Sequence, residues 1–100
     1  MTTILEEAQR LVQGNRQDDY GHPAQDFAFQ AVYWSNYLHR RGLLPQDLHL
    51  EPKDVAMMMV LLKVNRESHV PKRDNLVDAA GYLLTAAMVE ERRIQCPPIT

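Results

Sequence analysis

A chain of 100 residues with 45% hydrophobic and 24% charged residues and a formal net charge of −2 has the composition of one ordinary globular domain. That balance excludes a disordered chain and a basic nucleic-acid binder, so no DNA partner is expected. Cys96 is the only cysteine, which rules out an internal disulfide or a thiolate metal cage and suits a reducing cytoplasm. The start, MTTILEEAQR, has no basic region followed by an apolar one and is not expected to be a signal peptide, and the longest apolar run, AAGYLLTAAMV, is shorter than the ~20 residues that cross a bilayer. No membrane association is expected.

The chain divides into four helices by punctuation. In TILEEAQRLVQG, Thr3 stands three residues before Glu6 in capping-box spacing; Leu5, Ala8, Leu11 and Val12 share a face, and Gly14 is the expected stop. Pro23 suits the first position of a second helix, in which Phe27, Ala31, Trp34 and Leu38 recur at helical spacing until Gly42. After the connection LLPQDLHLEP, Pro52 opens a third helix that Pro71 closes, and a fourth runs from about Asp74 to about Arg93. No strand alternation or internal repeat is present, so the expected fold is an all-α four-helix domain over residues 1–95 with a tail at 96–100.

The third and fourth helices are apolar around most of their circumference, which implies burial on several sides. A homodimer, or a dimer of dimers, in which these two helices meet across a two-fold axis is therefore expected; the alternative is a monomer whose short connection covers them.

At about 100° per residue, Asp74, Asp78, Gly81, Tyr82, Thr85 and Arg92 fall on one side of the fourth helix, opposite Leu76, Val77, Ala80, Leu83, Leu84 and Ala87. Asp78 carries the most information. A carboxylate inside an apolar helix must be paired, hydrated or metal-bound to offset its desolvation, and the choice lies between a ligand role and an ion pair with Lys63 or Arg66. Lys63 and Arg66 share a face of the third helix, where they either clamp an anion such as phosphate or complement the helix C-terminus. Asp54, in the first turn of that helix, suits the helix dipole and lies ~13 Å along the axis from Lys63.

The segment DDYGHP at residues 18–23 combines a glycine free in its backbone angles with a residue held extended before Pro23. Such a shaped loop between helices is a common carrier of ligand contacts. Asp18 reads as a turn former. Asp19, Tyr20 and His22 are either turn, packing and capping residues or a metal ligand, a stacking ring and a proton-transfer group.

RQDDYGHP and WSNYL, followed by DVAMMMVLLKVNR and RDNLVDAAGYLL, resemble a group of small phage and prophage proteins built around DYG and LVDxAGY motifs, across nearly the whole chain. That group is distantly similar to the all-α nucleoside triphosphate pyrophosphohydrolases of the MazG type and to nucleotide-modification-associated proteins. The resemblance implies a MazG-like bundle in which facing ExxE and ExxD motifs hold Mg²⁺. Glu51 and Asp54 stand where the first motif falls, and Asn75 and Asp78 where the second does, with one carboxylate replaced by Asn75.

Together these readings nominate Tyr20, His22, Lys63, Arg66 and Tyr82 as nucleotide-binding and Asp54, Asp74 and Asp78 as ligands of a possible Mg²⁺. They point to a phage-type nucleotide-handling protein of the host cytoplasm, either a pyrophosphohydrolase-like enzyme or a non-catalytic module that captures a nucleotide or a host protein. A purely structural homodimer is the third reading. The DDYGHP turn is expected to lie beside Lys63, Arg66 and Asp78.

Overall fold

The computed structural model describes residues 2–15 and 22–95, and these form four helices without strands. Helix α1 spans Ile4–Arg10 and continues as a π-helical turn over Leu11–Asn15; α2 spans Pro23–Arg40, α3 Pro52–His69 and α4 Arg73–Gln95. Thr3 closes the start of α1 as its spacing predicts. Its hydroxyl accepts the Glu6 amide at 3.1 Å and donates to the Glu6 carboxylate at 2.9 Å.

The prolines open α2 and α3 at the predicted positions. Pro52 holds Glu51 out of the helix, with φ −104° and ψ 164°, and the Glu51 amide donates to the Asp54 carboxylate at 2.8 Å in a capping box. At the other end of α2, Gly42 has φ +71°, the Gly42 amide donates to the His39 carbonyl and the Leu43 amide to that of Leu38. This is the Schellman arrangement, and only glycine takes that φ without strain. The connection to α3 is pinned where the Leu50 amide donates to the buried Ser35 hydroxyl at 2.8 Å. The turn between α3 and α4 is locked by Glu67, whose carboxylate accepts both the Lys72 amide at 2.9 Å and the side-chain amide of the buried Asn75 at 3.2 Å.

Helix α4 is the hub. It packs most extensively on α3, and α1 and α2 also lie against it. Phe27, Ala31, Val55, Ala56 and Ala86 form the core cluster, with Trp34, Leu50 and Tyr82 against it. On the α1 side, Ala8, Val12 and Val77 are buried, and the Glu7 carboxylate pairs with Arg73. Gly81 admits this approach, since a Cβ there would stand 3.2 Å from a Val12 methyl.

One expectation is corrected. Helix one does not run as one α-helix to a stop at Gly14; Gly14 lies inside the π turn, and Leu5 and Leu11 are exposed while Ala8 and Val12 face α4. Widening the last turn rotates the stripe away from the phase of a regular helix. Part of the polar side of the fourth helix faces inward. Gly81 and Thr85 are buried, with the Thr85 hydroxyl donating to the Gly81 carbonyl at 2.9 Å, whereas Leu76 and Leu83 are exposed. A hydroxyl that satisfies itself within its own helix is buried at little cost.

Candidate functional site

A cleft of about 200 Å³ opens between α2, α3 and α4. Asp26, Phe27, Gln30 and Trp34 line it from α2, Val55 and Met59 from α3, and Tyr82 from α4. The Phe27 and Tyr82 rings lie 6.3 Å apart at 29°, an offset stack that fixes one wall. Pockets for drug-sized ligands run to ~300–1,000 Å³, so this cleft has room for one planar ring system and leaves the rest of a larger ligand outside.

One turn further along both helices stands an ion pair. Lys63 is four residues after Met59, Asp78 four before Tyr82, and the Lys63 Nζ lies 2.9 Å from an Asp78 carboxylate oxygen. The side chains are 13% and 36% exposed, so the ammonium is the more deeply withdrawn of the two. Between the two cations that sequence offered Asp78, the ion pair is made with Lys63.

Beyond that pair lies an open basin of about 600 Å³ lined by Asn65, Arg66, His69, Val70, Lys72 and Asn75. No acidic side chain is among these lining residues, in a protein of net charge −2. At about 100° per residue Arg66 falls within about 20° of Val55 and Met59 on α3, and Asn75 within about 20° of Tyr82 on α4. Cleft, ion pair and basin therefore follow one seam of the antiparallel α3 and α4, with Tyr82 and Asn75 about 10 Å apart along the axis.

The residues nominated from sequence divide accordingly. Lys63, Arg66, Asp78 and Tyr82 come together along this seam. Asp74 is exposed one turn before Asp78 on the same side of α4. Asp54 is engaged in the cap of α3, nine residues and about 13 Å along the axis from Lys63. Tyr20, with Asp18 and Asp19, lies outside the described residues.

His22 is not beside Asp78 within the chain. It caps α2, its Nδ1 accepting the Ala24 amide at 3.0 Å, and it feels the Arg92 guanidinium, 14 residues and roughly 21 Å along α4 from Asp78. The expected grouping of the DDYGHP turn with Lys63, Arg66 and Asp78 in one chain is therefore corrected at His22. Desolvation, then the Arg92 charge, lowers the His22 pKa below its ordinary 6.5. The fold thus favours neutral His22, and its contribution is complete above about pH 6.5 and lost as pH falls through the lowered pKa. Protonation also converts the capping acceptor into a donor. His22→Asn, which caps without titrating, is expected to remove part of the fall in melting temperature between pH 7 and pH 5; identical profiles for both proteins would show that the cap does not sense pH.

Asp26, Gln30 and Trp34 were not nominated from sequence. The available signal was a polar pair at i and i+4 running into Trp34 at i+8, on the flank of the apolar stripe of α2.

A family model described as a domain of unknown function, DUF6378, matches residues 3–91. The chain belongs to the DUF6378 family. This DUF6378 chain is 35% identical over 97 residues to the Gene 55 protein of Mycobacterium phage D29, covering 96% of the chain and 59% of that protein. It is 36% identical over 81 residues to the Gene 55 protein of Mycobacterium phage L5, covering 80% of the chain and 47% of that protein. The chain thus spans roughly half the length of these phage relatives. No solved structure matches it. Among the described residues no helix is long and apolar enough to cross a membrane.

Proposed function

We propose that this DUF6378 chain is a phage-type protein that binds a nucleotide or nucleotide-derived molecule in the host cytoplasm, with the base in the Trp34–Tyr82 cleft and phosphate on Arg66 and Lys72. One observation carries this reading: an aromatic cleft sized for a single ring and a basin whose charged lining residues are basic, with Glu67 behind it occupied by the Lys72 and Asn75 amides, lie on one seam, about 10 Å apart. Aromatic faces supply ~1–3 kcal/mol per stacked base without demanding a particular base. Guanidinium and ammonium groups supply charge-assisted hydrogen bonds to phosphate oxygens. Asp26 and Gln30 at the rim offer an acceptor and an amide to the edge of the ring.

Binding is favoured over turnover. Of the acids that the MazG resemblance nominates for Mg²⁺, Asp54 is held in a helix cap and Asp78 is paired with Lys63, while the Asn75 amide is tied to Glu67 and the Val70 carbonyl. Among the described residues no three His, Cys, Asp or Glu side chains gather as a metal set. The residues present do not fit the ExxE and ExxD magnesium site.

Trp34 is the only tryptophan of the chain and lines the cleft, so its fluorescence reports occupancy directly. Nucleotides are expected to quench it saturably, nucleosides more weakly, and inorganic phosphate scarcely. Arg66→Ala should reduce nucleotide affinity about tenfold and leave nucleoside affinity unchanged, as a loss of ~1.4 kcal/mol implies. Absence of quenching and of any thermal shift with millimolar nucleotides of all four bases would overturn the reading.

A further inference from the structure

We infer that a second copy of this chain docks on the outer face of α2, antiparallel about a two-fold axis at Tyr33, and that Arg40 of the second copy thereby reaches the rim of the cleft beside Asp26. The outer face of α2 carries Phe29, Tyr33 and Tyr37, exposed by 68%, 69% and 60%, with Val32 exposed beside them. Phe29, Tyr33 and Tyr37 follow one another at four-residue spacing, and Asp26 and Arg40, both exposed, lie within about 20° of Tyr33 at the two ends of the same stripe.

The register is self-complementary. In an antiparallel pair with its dyad at Tyr33, a residue n places before Tyr33 meets the residue n places after it in the other copy, as an isologous interface requires. Phe29 then meets Tyr37, Gln30 meets Asn36, and Asp26 meets Arg40, so two aromatic pairs flank the dyad and an opposite-charge pair closes each end. Among the described residues neither Asp26 nor Arg40 has an ion-pair partner within the chain. The outward stripe of α3, Met57, Leu61 and Val64, lacks this property, because a dyad at Leu61 sets Asp54 against Ser68 and Lys53 against His69.

The dimensions favour a second copy. The chain forms a slab 47 × 34 × 21 Å with a radius of gyration of 14.8 Å, against ~13 Å for a compact domain of this length. Among the described residues the fully buried side chains of largest volume are Val55 and Val77. Three aromatic rings exposed to this degree present roughly 300–500 Å². With Val32, Asn36 and the charged ends, the strip approaches the ~800 Å² per partner of a standard interface. The expected dimer is therefore kept, but its axis moves from the third and fourth helices to the second. Much of the apolar circumference of α4 is already covered by α1, α2 and α3. Asp26 lines the cleft, so the paired Arg40 adds a cation to the binding site, whereas the dimer itself does not depend on what the cleft binds.

Sedimentation equilibrium without ligand tests the interface. The wild-type protein is expected near twice its chain mass of 11.5 kDa. Asp26→Arg and Arg40→Asp should each shift it to monomer at micromolar concentration, and the double variant D26R/R40D should restore the dimer, which also shows that the single variants had not simply misfolded. In a Cys96→Ser background, oxidised Tyr33→Cys should form a covalent dimer across the dyad and Leu61→Cys should not. A monomeric wild-type protein, a dimer indifferent to the single charge reversals, no rescue by the double variant, or cross-linking through Leu61→Cys instead of Tyr33→Cys would each overturn the proposal.

Discussion

Phe27→Ala is expected to lower stability by about 3–5 kcal/mol, measured as a reduced urea midpoint at unchanged slope. Among the described residues Phe27 is the one aromatic side chain of the buried hydrophobic core, whose other members are alanines and valines. Neither Tyr82 nor Trp34, half-buried on either side, can collapse into the vacancy without abandoning its own contacts with the cluster. Against the ~5–15 kcal/mol that holds a domain of this size, such a loss removes a large share of the native margin. A change below about 1 kcal/mol would mean that the ring does not span α2, α3 and α4 as described.

The second large effect concerns the ion pair, and its two halves are not equivalent. Asp78→Asn leaves the more deeply withdrawn Lys63 ammonium without its counter-charge and is expected to cost about 2–3 kcal/mol, below the ~3–5 of a fully buried pair because the carboxylate keeps partial access to water. Lys63→Met leaves a carboxylate that water can reach and puts an apolar chain where the lysine stem packed, so about 1 kcal/mol or less is expected. Chemical denaturation of both variants without nucleotide or metal decides the matter. Equal costs would deny the asymmetry. An Asp78→Asn protein as stable as wild type, but deaf to Mg²⁺ in nucleotide binding, would make Asp78 a metal ligand.

Much of this architecture is written in the positions that fix the backbone. Pro23, Pro52 and Gly42 set the ends of α2 and α3 because each permits only a narrow range of backbone angles there, and that holds whatever surrounds them. An ion pair at Asp78 was legible as one option, since a carboxylate amid apolar residues must be paired, hydrated or metal-bound, but sequence left both Lys63 and Arg66 open as its partner. The inward side of α4 was not legible. A helix covered by three neighbours has weak hydrophobic phase, and Thr85 and Gly81 enter the interior because one satisfies the other's carbonyl and the other admits Val12. Asp26 and Gln30 escaped notice for a different reason: rim residues of a cleft have the same polarity as residues facing bulk water, and only the packing of α2 on α3 and α4 distinguishes them.

The three helices packed on α4 do not contribute equally to the candidate site. Helix α1 is short, is held by Ala8, Val12 and a partly exposed Glu7–Arg73 pair, and contributes no side chain to the cleft or the basin. Separation of α3 from α4 would remove both ends of the candidate site at once, whereas loss of α1 would take no lining residue from either. The candidate site therefore rests on the seam between α3 and α4, and α1 supplies none of its lining side chains.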